Sequence, residues 1–173
     1  ETIDIPLLAH DFVEHPDGTI GTMVTEFRDG ADEEEVRGDQ IIEVAPDGTQ
    51  STVWSAWNCF DPEVDVVDVT EDGWTFGNAL DYDPVEDVYY QGMRNFSSIA
   101  RINRSTGECD WVFGSIGATI EPASGATTPL HQHQFQVLED SLLIFDNDGG
   151  LSSSRALEFA IDPAATEWES IWS

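Results

Sequence analysis

The feature that most constrains the fold is a recurrence of strand, turn and strand along the whole chain. Short runs rich in Val, Ile, Phe, Trp and Tyr alternate with Asp-Gly and Pro-Asp turns, the pattern of consecutive antiparallel hairpins. Phe12-Val13-Glu14-His15 turns through Pro16-Asp17-Gly18 into Thr19 to Thr25, and Ile41 to Ala45 turns through Pro46-Asp47-Gly48 into Ser51 to Trp54. Asn103-Arg104-Ser105-Thr106-Gly107-Glu108 joins Ile99 to Ile102 with Asp110 to Phe113. Helix signals are nearly absent, so the expectation is an all-β fold.

A longer repeat appears when the hairpins are laid over one another. His10-Asp11-Phe12-Val13, Asn78-Ala79-Leu80-Asp81 and His133-Gln134-Phe135-Gln136 each open an inner strand with a polar residue. Each is followed by a second strand and then by a hairpin that ends near Trp54, Trp111 or Trp168, tryptophans expected to face blade cores. Two hairpins make one four-stranded antiparallel unit, the blade of a β-propeller. A β-sandwich would not repeat the same strand order with a terminal Trp. The blades fall at about 10–57, 78–114 and 133–173. Propellers usually close with four to eight blades, so these three are expected to belong to a larger ring or to be completed by a second copy of the chain. Arg28 to Asp39 and Gly114 to Leu130 read as surface insertions, and no second domain is evident.

Charge narrows the partners. Thirty-five acidic residues face six basic ones, all arginine, giving a formal charge of −29. Such a surface repels nucleic acid and anionic lipid, and no apolar run is long enough for a membrane-spanning helix. Solubility in high salt, where screening relieves self-repulsion, is the first explanation of the acidity. A calcium-rich acidic surface, with structural calcium as its only metal, is the second. With 40% apolar residues, the chain still has ample material for a core. It begins at Glu1 with no basic and apolar leader, which suggests a processed chain or a piece of something longer. Cys59 and Cys109 form either one disulfide, in an extracellular or periplasmic setting, or two buried thiols.

Propeller symmetry brings the heads of inner strands to one mouth of a central channel. His10, Asn78 and His133 occupy that place in the three units, and antiparallel pairing returns Arg94 to the level of Asn78. Two imidazoles, an amide and a guanidinium suit an oxyanion, with a neutral His as nucleophile or base; the same groups could instead be satisfied structural ones. His15, beside Pro16, reads as structural. His131 and His133 are spaced i, i+2 and on a strand would share a face, although a metal site needs a third ligand. Asp146-Asn147-Asp148-Gly149 lacks the full spacing of a calcium loop.

The collected strings resemble the arylsulfotransferase family: His10-Asp11-Phe12 with Pro16-Asp17-Gly18; Trp74-Thr75 with Gly77-Asn78-Ala79-Leu80-Asp81-Tyr82-Asp83-Pro84; Arg94-Asn95-Phe96-Ser97-Ser98-Ile99; Thr106-Gly107-Glu108 with Trp111; Gln132-His133; and Leu142-Leu143-Ile144-Phe145-Asp146-Asn147. They occur in the family's order. The resemblance implies a six-bladed propeller, of which about half would lie outside this sequence. It also implies sulfuryl transfer from an aryl sulfate to a phenol through a sulfated histidine, with no nucleotide donor or other cofactor. His133 matches the nucleophile, Arg94 the arginine that holds sulfate oxygens, His10 a channel histidine and Asn78 a channel amide. One position departs: Phe76 stands where the family places a histidine two residues before the Asn. That departure keeps open a second reading, a catalytically silent extracellular propeller used for binding or assembly.

Overall fold

In the computed structural model the described residues are 4–30, 35–67, 73–147 and 153–172. Two of the expected turns are copies of each other. In Pro16-Asp17-Gly18 the amide of Thr19 donates to Asp17 Oδ1 at 2.9 Å, and in Pro46-Asp47-Gly48 that of Thr49 donates to Asp47 Oδ1 at the same distance. Gly18 and Gly48 close them at φ of 84° and 85°, a region where a side chain would be strained. The Asp caps its own turn and Gly supplies the reversal.

Both turns belong to the first of three four-stranded antiparallel sheets, where they join the first strand to the second and the third to the fourth. The first holds β1 (Leu8–Glu14), β2 (Ile20–Asp29), β3 (Glu35–Val44) and β4 (Gln50–Ser55). The second holds β5 (Gly77–Asp83), β6 (Val88–Met93), β7 (Ser98–Asn103) and β8 (Cys109–Gly114). After the short β9 (Glu121–Pro122), the third sheet is built from β10 (Gln134–Val137), β11 (Ser141–Asp146), β12 (Arg155–Ala160) and, past β13 (Glu167–Trp168), β14 (Ser170–Trp172). No α-helix occurs among the described residues. The fold is all-β, its sheets stacked like propeller blades, and the described residues form no closed ring.

The core lies between sheets. Met23, Ile41 and Trp54 of the first meet Leu80, Tyr89 and Ile102 of the second. Trp111 and Phe113 of the second meet Leu142, Leu157 and Phe159 of the third. Trp54 and Trp168 are fully buried, and Trp111 meets Trp168 edge to face with centroids 4.9 Å apart. Cys59 and Cys109 form a disulfide that ties the segment after β4 to β8.

Two stretches differ from the expectation of surface insertions. Arg28 to Asp39 is mostly strand: β2 and β3 remain paired out to Asp29 opposite Glu35, and Asp39 is buried in the ladder opposite Thr25. At the outer end of this paired stretch Arg28 pairs with Glu26 and lies over the Trp57 ring. Gly114 to Leu130 laces two blades together, because Glu121–Pro122 pairs in parallel with Glu167–Trp168. Trp168 therefore precedes the outer strand of its blade, which is Ser170–Trp172.

Candidate functional site

The inner strands of the first two blades are both irregular where the sequence places its candidates. The β1–β2 register shifts between Ala9 and Phe12, around His10 and Asp11, and the β5–β6 register shifts between Gly77 and Ala79, around Asn78. A β-bulge re-aims side chains out of the pleat. Here each also makes a stitch between blades. Asp11 Oδ2 accepts from the Leu80 amide at 3.0 Å, and the Asn78 side chain donates to the Gln132 carbonyl at 2.8 Å.

The stretch from Leu130 to His133 is pinned through several main-chain groups and the Gln132 side chain. The Leu130 amide donates to Asp146 Oδ1, the His131 amide to Ser97 Oγ, and the His133 amide to the Phe145 carbonyl. The His131 carbonyl accepts from Asn147, and the Gln132 side chain donates to the Met93 and Ser98 carbonyls. Such over-determination holds His131 at a φ of 51°, a sparsely populated conformation for a side-chain-bearing residue. Neither histidine lies within β10, and the left-handed turn at His131 breaks the alternation that would place both on one strand face. No cluster of three or more His, Cys, Asp or Glu suited to a metal occurs among the described residues; Asp148 and Gly149 lie outside them. His133 is exposed, whereas His131 is partly buried. Burial pulls the His131 imidazole below its ordinary pKa, the nearby Arg94 pulls it further, and Asp146 opposes both.

Phe76 links the first two blades at this mouth. Its ring meets the His10 ring edge to face, centroids 4.9 Å apart, and the Arg94 guanidinium carbon lies 5.4 Å from its centroid. The Arg94 amide donates to the Phe76 carbonyl at 2.9 Å, so the end of β6 does return to the start of β5. Phe76 has a φ of 50°. Asp39 holds it there from below, accepting from the Thr75 hydroxyl and, at 2.6 Å, from the Gly77 amide. Burial raises the Asp39 pKa, and those hydrogen bonds oppose the rise.

Beside His10 lies a cavity of about 190 Å³ lined by His10, Arg37, Asp39 and Phe76 among others. Arg37 and Asp39 were hidden in the sequence by the acidic run around them; the only signal was the apolar-rich strand that continues from Asp39 into Ile41 and Ile42. The arginines divide sharply. Arg28, Arg101, Arg104 and Arg155 each sit within ion-pair distance of a carboxylate. Arg37 and Arg94 make no ion pair among the described residues, although the chain carries −29. Both flank the His10–Phe76 pair. Asn78 Oδ1 and Gln132 Oε1 are also buried there without a partner among the described residues. Native interiors leave few such atoms, and those few merit a functional reading.

The remaining buried network is structural. His15 Nε2 and the Tyr89 hydroxyl are 2.6 Å apart, Tyr89 donates to Glu43 at 2.8 Å, and Arg104 grips the same carboxylate. His15 also stacks on Tyr82 at 3.8 Å. These groups bridge the first and second blades beside the turns at the other end of their strands from His10 and Asn78, as expected of a structural His15.

No individually curated protein matches the chain. The family model described as Arylsulfotransferase (ASST) matches residues 4–173, spanning all three sheets and His10, Asn78, Arg94 and His133. That match carries a sulfotransferase-like function in general. The stacked four-stranded sheets and the match over nearly the whole length agree, and the chain belongs to the arylsulfotransferase family.

Proposed function

We propose that the chain contributes its part of a propeller that transfers a sulfuryl group from an aryl sulfate to a phenol by way of a sulfated histidine. In the first step His133 attacks sulfur, an N–S bond forms, the S–O bond to the donor breaks, and a phenolate leaves. In the second an acceptor phenol oxygen attacks the same sulfur, the N–S bond breaks back to imidazole, and the acceptor proton balances the released phenolate. Arg94 and His10 stabilise the charge on the transferring oxygens, as cationic clamps do for phosphoryl groups. Asn78 acts on the strand head that carries His133.

The observation that carries this reading is the Phe76 ring, which touches His10 of one blade and Arg94 of the next while Asn78, two residues on, is bonded to the residue before His133. These contacts support a site shared by three blades. The disulfide supports an oxidising, extracellular or periplasmic location.

Phe76 itself favours the second reading, a silent binding propeller, because its ring supplies no hydrogen bond to an oxyanion. A chromogenic aryl sulfate with a phenol acceptor, run beside His133→Ala, separates the two. Release of phenol by the parent but not by the variant supports transfer; equal release overturns it.

A further inference from the structure

Arg37 stands apart from the arginines expected to do chemistry, yet its position is built. Its carbonyl accepts from the Trp74 amide at 2.7 Å. Its Cγ and Cδ run close over Gly73, where an added Cβ would meet both at 3.1 Å. Gly73, at a φ of 106°, leaves room for that aliphatic stem. The carboxylate nearest in sequence, Asp39, faces the Thr75 hydroxyl and the Gly77 amide instead. Asp39 therefore acts on Arg37 only through space, and among the described residues the guanidinium makes no ion pair beside the cavity it lines with His10 and Phe76. In a chain with 35 acidic residues and six arginines, an arginine that makes no ion pair among the described residues and lies next to a ring-walled cavity is a feature for an external anion.

Phe76 is common to two cationic places. Arg94 lies over its ring, while the same residue forms part of the wall of the cavity that Arg37 lines. Arg94 is not among the residues lining that cavity. A ligand with an aromatic ring against Phe76 can therefore present one anionic group toward Arg94 and another toward Arg37.

We infer that Arg37, with His10 and the Phe76 ring, forms a second anion subsite that selects phenolic substrates carrying a carboxylate. The inference rests on the proposed sulfuryl transfer for the word substrate, but the subsite itself is read by binding alone. A planar guanidinium suits a carboxylate because it can donate two parallel N–H bonds.

The test is calorimetric binding of 4-hydroxybenzoate and of phenol to the full chain at fixed ionic strength, repeated with Arg37→Gln and Arg94→Gln. Circular dichroism checks that each variant is folded. 4-Hydroxybenzoate should bind at least about tenfold more tightly than phenol, a difference of about 1.4 kcal/mol. Arg37→Gln should abolish that preference without changing phenol binding, and Arg94→Gln should keep it. Equal affinities in the parent, a preference that survives Arg37→Gln, or one lost only in Arg94→Gln would each overturn the subsite. A carboxylate preference without sulfuryl transfer would uphold the subsite and defeat the transfer reading. Transfer to phenol without the preference would do the reverse.

Discussion

The side-chain amide of Asn78 donates to the carbonyl of Gln132 at 2.8 Å, so the inner strand of one blade holds the backbone one residue before His133 on the next. Asn78 is only 4% exposed. Its direct effect is therefore on the placement of that strand head. Asn78→Ala leaves the Gln132 carbonyl buried without this donor, which costs about 1–3 kcal/mol. Urea unfolding should show that loss, and any sulfuryl transfer should fall with kcat affected more than KM.

His15 gives the fold a pH dependence whose sign is fixed by its surroundings. Burial lowers its pKa, with Glu43 opposing and Arg104 reinforcing. The unfolded chain, where His titrates near about 6.5, therefore takes up a proton before the folded one does. Stability falls as pH drops below about 6.5 and levels off once the folded imidazole is also protonated. Glu43 has a lowered pKa, so its own contribution is lost only in the more acidic carboxylate range. Thermal unfolding from pH 7.5 to 5.5 should show a declining Tm in the parent. His15→Gln should be less stable at pH 7.5 and show a shallower decline across that interval, the remainder coming from His131, whose pKa burial also lowers.

The Cys59–Cys109 bridge closes a separation of 50 residues between the segment after β4 and β8. A chain-entropy estimate for a loop of that size is about 4 kcal/mol, with measured values more often about 2–4. The double variant Cys59→Ser, Cys109→Ser should lose stability in that range in denaturant unfolding. Reducing agent should lower the Tm of the parent and leave the double variant unchanged.

How much of this was legible in the sequence depended on the range of the interactions. The hairpins could be read because Asp17 and Asp47 cap their own turns and Gly18 and Gly48 close them, all within a few residues. Asp39 could not, since its purpose is defined by Thr75 and Gly77, far along the chain, and its neighbours look like a solvated acidic run. Arg37 was lost for the same reason. The i, i+2 spacing of His131 and His133 carries no sign of the left-handed turn at His131, whose amide and carbonyl are held by Ser97 and Asn147, residues just outside strands elsewhere in the chain. The bulges that re-aim His10 and Asn78 likewise have no local signature in those strands.

Phe76 offers the sharpest test of what this mouth can do. It lies at a φ of 50°, a region that suits His, Asn or Asp better than a bulky apolar residue. Its flanks stay fixed by Asp39 and its carbonyl by the Arg94 amide. Phe76→His should therefore be accommodated by the backbone and place an imidazole between His10 and Arg94. One preorganised donor toward a developing oxyanion is commonly worth about a hundredfold or more in rate, so sulfuryl transfer from an aryl sulfate should rise at least about tenfold. Phe76→Leu, which keeps an apolar side chain, should give no increase. If Phe76→His remains at the parent's rate while folded and still able to bind 4-hydroxybenzoate, the missing hydrogen-bonding group at this position is not what limits transfer.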